Sequence, residues 1–348
     1  MNYKELIQKT AIVVMAMTGL NNPLMAEDAD STSVRPAFGV EYTSELQTNF
    51  KEAKWNNLFE LSADIPLSKK ITFNVASLSL FTSRLEPLML DLQGISNLDG
   101  WEINFAFTVA GLTWQINDHH SLFAGIRRID EDYFCSDGLA LFTNSSCGGF
   151  PTITANLLPP TYPLAAMGIH YAYDNGKWGI QASVYNGEGS YELTGEHNVF
   201  RVCPKEDGVF ALGQIEYRHR DSRYFLGASM HDLDLLQIYE RKIRPAIWTY
   251  AEQALAGNLT LIAAYSHAFS DDELCKNFCG IGGKYTYKNV EMGIFTEYTR
   301  VLEIDEWATE LTCNITFTDH LWIQPALHIV NTDGNTDWAG FLRLGINL

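Results

Sequence analysis

Apolar and polar residues alternate one by one along most of the chain. In one segment Phe38, Val40, Tyr42 and Leu46 share one parity, against Glu41, Thr43, Glu45 and Gln47 on the other. Later segments do the same, for example Trp101, Ile103, Phe105, Phe107 and Val109. Successive side chains of a β-strand point to opposite faces, so this period of two predicts strands with one apolar face. Helical periodicity is scarce, and the pattern predicts an all-β protein.

The connections between these segments alternate in length. Short polar turns lie at 68–70, 117–120, 174–177, 219–222, 256–258, 288–289 and 318–320. Longer stretches lie near 48–56, 82–100, 130–162, 187–207, 232–244, 269–279, 300–305 and 331–337. Such an alternation is typical of outer-membrane barrels. We predict a 16-stranded antiparallel up-and-down transmembrane β-barrel with short periplasmic turns and long extracellular loops.

The last segment, WAGFLRLGINL (338–348), alternates up to its final residue. Inside a membrane, backbone groups at an open sheet edge have no water to bond to, so a spanning sheet must close on itself. We therefore expect residues 338–348 to pair with the strand near residue 38.

The first residues are typical of a secretory signal. Lys4 and Lys9 precede an apolar run, Ala11 to Leu20, and small residues lead up to Ala26. The run is shorter than the roughly 20 residues that a transmembrane helix needs. An ordinary N-terminal helix is the alternative. The expected organisation is a signal peptide (1–26), a short N-terminal segment (27–36) and a single barrel (37–348).

The charge balance is acidic. The chain has 24 Lys and Arg against 42 Asp and Glu, a net charge of -18, and removal of residues 1–26 leaves 22 against 41, or -19. A nucleic-acid-binding protein would need a basic surface, so this class is excluded. A pore through such a protein should exclude small anions relative to cations and should tolerate neutral sugars.

Several stretches resemble, in order and spacing, the carbohydrate-selective porins of the OprB type. They are GVEYTSELQTNF (39–50), LQGISNLDG (92–100), GIRRIDEDYF (125–134), LFTNSSCGGFP (141–151), YPLAAMGIHYAYDNGKWGIQASVYNG (162–187), IWTYAEQAL (247–255) and ATELTCNITFTDHLWIQPALHIVNTDG (308–334). The likeness runs from about residue 38 to the end. It implies a sixteen-stranded barrel in the bacterial outer membrane for passive diffusion of sugars.

The longest connection, about 130–162, is the candidate constriction loop. Carboxylates and an aromatic ring at its start suit sugars, because hydroxyl groups take charge-assisted hydrogen bonds and apolar sugar faces stack on rings. Arginines facing these carboxylates would set up a transverse field. The predicted pore-lining residues are Arg127, Arg128, Asp130, Glu131, Asp132, Tyr133, Glu102 and Glu310. Parity adds Glu41, Glu45, Glu60, Glu216, Arg218, Glu291, Glu297 and Arg343.

The chain has six cysteines, an even number that permits disulfides in an exported protein. A bond from Cys135 to Cys147 would close the constriction loop, and one from Cys275 to Cys279 would tighten another loop. Six cysteines allow fifteen pairings, so the connectivity is open. The pair Cys275 and Cys279 lacks a nearby histidine, and no metal site is expected.

The leading hypothesis is an outer-membrane porin for carbohydrates and other small hydrophilic solutes. No hydrolase constellation or phosphate-binding loop is visible, so we expect neither catalysis nor a cofactor. The alternatives are a non-selective or cation-preferring general porin, and a plugged structural or adhesin barrel. Expected partners are mono- or oligosaccharides and outer-membrane lipid, and assembly into a homo-oligomer is open.

Overall fold

The computed structural model describes residues 35–232, 242–255 and 257–348. Sixteen strands lie within them: β1 (Ala37–Thr48), β2 (Ala53–Pro66), β3 (Ile71–Thr82), β4 (Ile103–Asn117), β5 (His120–Arg127), β6 (Ala166–Asp174), β7 (Trp178–Asn186), β8 (Val209–His219), β9 (Ser222–His231), β10 (Arg244–Ala254), β11 (Leu259–Ala268), β12 (Cys275–Tyr287), β13 (Val290–Val301), β14 (Ile304–Thr318), β15 (Leu321–Thr332) and β16 (Asn335–Asn347). Each strand pairs with its sequence neighbours and the sheet closes into a barrel, which confirms the predicted fold class. No helix of the described residues is long and apolar enough to cross a membrane.

The barrel closes where β1 meets β16. Glu41 lies opposite Asn347 and Glu45 opposite Arg343 in an antiparallel register. The backbone of Val40 exchanges hydrogen bonds of 3.0 and 2.9 Å with that of Leu348. The predicted pairing of residues 338–348 with the first strand is confirmed. The predicted signal peptide (1–26) and all but the last two residues of the segment 27–36 lie outside the described residues and stay predictions.

The two faces of the strands differ as the alternation predicts. On β1, Glu45 and Gln47 point into the barrel and are buried, whereas Leu46 between them is exposed on the outside. Large apolar side chains cover the outer surface, among them Phe59, Leu61, Leu112, Trp178, Ile180, Leu226, Ile281, Trp307, Leu311 and Leu342. An apolar outer band is what lipid contact requires.

Strand β4 departs from simple alternation. Register shifts against β3 turn Ile103 and Val109 inwards, where both are 2% exposed, while Phe105 stays outside and 44% exposed. The expectation that these residues share one face is wrong, because a β-bulge adds a residue to one strand and reverses the parity beyond it.

The connections at one barrel end are all short, and those at the other end vary. We name the latter L1 (49–52), L2 (83–102), L3 (128–165), L4 (187–208), L5 (232–243), L6 (269–274), L7 (302–303) and L8 (333–334). L1, L6, L7 and L8 are much shorter than predicted, because the flanking strands continue further. In L8, Asp333 and Gly334 have φ angles of 49° and 83°, the conformation of a two-residue hairpin turn that Asp-Gly favours.

The hydrophobic core lies inside the barrel. Most of L3 is buried there, and its aromatic side chains pack on inward-facing aromatic residues of the wall. The centroid distances are 4.9 Å between Phe150 and Phe278 and 5.1 Å between Phe134 and Trp248. Burial of a large apolar side chain stabilises by roughly 1.5–3 kcal/mol, so these contacts hold the loop in the lumen.

Candidate functional site

Wall carboxylates hold L3 through its backbone. Glu310 of β14 accepts hydrogen bonds from the backbone N–H groups of Thr143 and Asn144, at 2.9 and 3.0 Å. Glu252 of β10 accepts one from the N–H of Gly138 at 2.6 Å. Glu310 was predicted to line the pore, but it is 2% exposed and lies beneath the loop. The predicted inward orientation of Glu310 is correct, but L3 covers the side chain.

Loop L2 also folds into the barrel, which the sequence did not indicate. The carboxylate of Glu306 accepts hydrogen bonds from the N–H groups of Leu92 and Gln93, at 2.7 and 3.0 Å. The two loops join directly, because the N–H of Asn97 donates to the carbonyl of Thr143 at 2.8 Å. Loops L2 and L3 therefore form one packed layer across the lumen. We call the wall carboxylates beneath it the anchoring glutamates: Glu45, Glu252, Glu297, Glu306 and Glu310.

The start of L3 brings together five of the predicted site residues. We call residues 127–132 the acidic turn. Arg127 donates two hydrogen bonds of 2.6 Å to the carboxylate of Asp132. Arg128 donates to Glu131 at 2.6 and 3.0 Å, and its Nε lies 3.5 Å from the carboxylate of Asp130. The arginines therefore pair with carboxylates of the same turn, and Arg128 also lies 3.8 Å from the carboxylate of Glu60 on β2. The predicted transverse field stays a prediction.

Burial and pairing act in opposite directions on the acidic turn. Burial raises the pKa of Asp130, which is 2% exposed. Burial alone would also raise the pKa of Asp132, but the Arg127 guanidinium more than offsets this and leaves that pKa below its ordinary value. With two arginines against three carboxylates, the ionised turn carries excess negative charge.

The structure does not bring the other two candidates to the acidic turn surface. Tyr133 is fully buried, and its hydroxyl lies 2.9 Å from Oγ of Ser183, so it is a core residue of the loop. Glu102 lies just before β4 and is exposed. Neither position follows from the local sequence, since both depend on how L2 and L3 lie in the barrel.

A polar cavity of about 200 Å³ separates the acidic turn from the short-turn end of the barrel. Arg218 lies 2.7 Å from the carboxylate of Asp174, and Arg223 lies 2.6 Å from that of Glu216. Each guanidinium is thus engaged by a carboxylate. The charged lining residues are Glu131, Asp132, Asp174, Glu216, Arg218 and Arg223, four carboxylates against two arginines.

The predicted disulfides are absent from the part of the chain that the structure describes. Cys275 and Cys279 lie within β12 and not in a loop, with Cys275 buried inside and Cys279 exposed outside. The sheet therefore separates their thiols. The thiol of Cys135 donates to the carbonyl of Asp130, whereas Cys147 lies in the hydrophobic core inside the barrel. Burial raises the pKa of both loop thiols, which keeps them protonated and unreactive.

Acidification should strengthen the packing of L2 at Asp91. Burial and the nearby Glu306 raise the pKa of this carboxyl well above its ordinary value. The charged form is therefore disfavoured in the folded loop, and its destabilising effect grows as pH rises above the unfolded pKa of about 4. We expect Asp91→Asn to slow hydrogen exchange of residues 88–99 at pH 8, with the difference from wild type vanishing near pH 4.

Glu86→Gln is the matched control, because Glu86 lies in the same loop and its side chain is 77% exposed. It should leave the exchange rates of L2 unchanged at both pH values. Equal exchange in wild type and Asp91→Asn at pH 8 would contradict the prediction that the charged Asp91 carboxylate destabilises the folded loop.

Comparison with known proteins gives one family and a set of barrels. The model of the OprB family of carbohydrate-selective porins matches residues 110–276. The high-pH structure of Pseudomonas putida OprB aligns with a TM-score of 0.75 at 14% identity, over 90% of this chain and 94% of that one. No curated protein matches the chain by sequence.

Two other solved structures share the architecture. An anion-selective porin from Comamonas acidovorans aligns with a TM-score of 0.61 at 9% identity, over 90% of this chain and 99% of that one. Outer-membrane expressed OmpT of Vibrio cholerae aligns with a TM-score of 0.60 at 8% identity, over 90% of this chain and 97% of that one. At these identities the structural likenesses establish the fold. With the family match to residues 110–276 inside that barrel, the chain is a bacterial outer-membrane porin for the passive diffusion of sugars, similar over nearly half of its length to the carbohydrate-selective porins of the OprB family.

Proposed function

We propose that this porin selects neutral mono- and short oligosaccharides and small cations over anions, and that the acidic turn makes the selection. The observation that carries the proposal is the polar cavity beside that turn: the turn and the cavity lining together hold five carboxylates against four arginines, and every one of these arginines is engaged by a carboxylate. Neutral sugars can exchange water for hydrogen bonds to these fixed groups, and charge-assisted bonds of this kind are the strong ones.

Small anions meet the opposite situation. Both arginines of the cavity are already engaged by carboxylates, so an entering anion finds no free guanidinium to compensate its lost hydration. The excess carboxylate charge repels it further, and the low-dielectric wall of packed L3 side chains strengthens that repulsion. The whole chain, at a net charge of -18, acts in the same direction.

Two other functions have support of their own. A general cation-preferring porin is favoured by the acidic composition, and a barrel that conducts little is favoured by the aromatic packing of L3 across the lumen. Contact with outer-membrane lipid is supported by the apolar outer surface. Assembly into a homo-oligomer stays a prediction.

Liposome swelling tests the proposal with a graded series of sugars. We expect glucose to enter faster than a trisaccharide, and gluconate to enter much more slowly than glucose or glucosamine. Equal entry of gluconate and glucose would refute charge selection, and equal rates for sugars and size-matched polar solutes would favour the general porin. A barrel that passes no current in planar bilayers would favour the plugged alternative.

Glu131→Gln should reduce the preference for cations. The change removes one carboxylate from the cavity lining and leaves Arg128 with less compensation. A unit charge contributes on the order of 1 kcal/mol at about 4 Å in water, so the cation-to-anion permeability ratio should fall about two- to fivefold. The reversal potential in a salt gradient measures the ratio. Glu303→Gln in L7, an exposed position outside the cavity, should leave it unchanged.

A further inference from the structure

A second cavity lies at the loop end of the barrel, where L4 meets the ends of L2 and L3. Its volume is about 240 Å³, and it is separate from the polar cavity beside the acidic turn. Its lining includes two partly buried aromatic rings, Trp101 and Tyr191, with centroids 5.7 Å apart and planes inclined by 33°. Two apolar side chains of L3, Leu158 and Leu164, also line the cavity.

Polar side chains of L4, together with Asn186 at the end of β7, also line the cavity. The carboxylate of Asp207 is 2% exposed and accepts hydrogen bonds from Nε of Arg201 at 2.8 Å and from the amide of Asn186 at 2.9 Å. The carboxylate of Glu188 lies 3.7 Å from Nδ1 of His197. These contacts orient the carboxylates before any ligand enters, and they leave donors and acceptors side by side.

We propose that this cavity is a capture subsite for a neutral pyranose sugar at the extracellular mouth of the pore. This proposal rests on the proposed function and adds to it a binding step at which a sugar enters the pore. A pyranose has one apolar face for an aromatic ring and a rim of hydroxyl groups that both donate and accept. The cavity lining offers both kinds of surface, and its volume is below that of drug-sized pockets, which suits a single sugar unit.

A cation is the main competing occupant. Glu188, His197 and Asp207 each offer one ligand atom, and these atoms lie within 4.8 Å of one another. The guanidinium of Arg201, however, already bonds the Asp207 carboxylate and would place a fixed positive charge beside the metal ion. Like charges at such distances repel by about 1 kcal/mol in water and by more in a protein environment. A neutral ligand with hydroxyl groups meets no such repulsion.

Single-channel recording with sugar added to one side tests the subsite. Glucose or maltotriose on the extracellular side should reduce the current, and the half-blocking concentration reports binding. Tyr191→Ala should raise that concentration about two- to tenfold, the range expected for one aromatic contact. Glu188→Gln keeps the shape and should also raise it, which guards against a folding defect in the Tyr191 variant.

The matched controls lie in the same loop but outside the cavity. Phe200→Ala and Glu196→Gln remove an exposed ring and an exposed carboxylate, and neither should change the half-blocking concentration. If the cavity variants behave like these controls while glucose still enters liposomes, the subsite is wrong and the proposed function stands.

Two further outcomes are distinct. If glucose enters no liposomes, the proposed function fails. Calorimetry of glucose with the detergent-solubilised barrel then tests the capture subsite by itself, and the absence of binding heat would overturn the subsite. If Zn²⁺ alone blocks the channel, Glu188→Gln abolishes that block, and sugar responses stay at the wild-type level, the cavity is a cation site and the sugar proposal is wrong.

Discussion

Replacing Glu310 with alanine should free L3 from the wall and raise the single-channel conductance several-fold, with a noisier open state. The side chain is buried, and removing it leaves the N–H groups of Thr143 and Asn144 without their acceptor. Each buried donor left without a partner costs about 1–3 kcal/mol. L3 loses this part of its attachment to the wall and should then sample positions outside the lumen. Planar-bilayer recording measures both the conductance and its fluctuation.

Two variants make this result specific. Glu310→Gln keeps one acceptor oxygen at the same place, so its conductance should lie close to wild type. Glu303→Ala removes an exposed carboxylate of L7 and should change nothing. A Glu310→Ala channel with wild-type conductance would mean that the aromatic contacts of L3 hold the loop without the anchoring glutamate.

Arg343→Met should lower the thermal stability of the whole barrel more than any other change considered. Arg343 and Glu45 form an ion pair across the closing seam between β16 and β1, and their side chains are 2% and 0% exposed. Arg343 also donates to Oδ1 of Asn97 in L2 at 2.6 Å. Removing one member of a buried pair leaves the other charge uncompensated, at a cost of about 3–5 kcal/mol. The conversion temperature of the folded band on a gel of unboiled samples measures the loss.

The double variant Glu45→Met and Arg343→Met provides the control. Two apolar side chains in place of a buried ion pair are often neutral or stabilising, so the double variant should recover most of the lost stability. Equal losses in the single and double variants would show that the loop contacts of Arg343, and not its pairing with Glu45, set the stability of the seam.

Both results follow from a feature that parity alone cannot reveal. Glu45, Glu297 and Glu310 point inwards, as the alternation of β1, β13 and β14 predicts, whereas the sequence analysis did not identify Glu252 and Glu306. Inward, however, means towards packed loop backbone at Glu306 and Glu310 and towards open cavity at Glu216. The same residue type therefore holds a loop in one place and faces solute in another.

Much of the candidate site was within reach of the sequence. The run from Arg127 to Asp132 lies where β5 ends, and its charged residues do lie together in the lumen. What the sequence could not predict is their pairing, since bonds between Arg127 and Asp132 depend on the path of the turn. The capture subsite was missed altogether, because Trp101 and Tyr191 are ninety residues apart in the chain and meet only through L2 and L4.

The sequence by itself determined the strands, their number and the closure of the barrel. These properties follow from a period of two and from turn residues, and both are local: each strand carries its own pattern, and residues 338–348 could pair with β1 only by completing the cylinder.

Only the tertiary structure decided what fills the barrel. Contacts between distant segments determine the inward course of L2, the reversal of parity in β4 and the place of Glu310 beneath L3. One example is the hydrogen bond that the N–H of Leu92 donates to Glu306, 214 positions away in the chain. A period in the sequence carries no information on such pairs, because any inward carboxylate has the same local pattern. The free energy of packing a loop against the barrel wall depends on contacts between residues that only the closed barrel brings together.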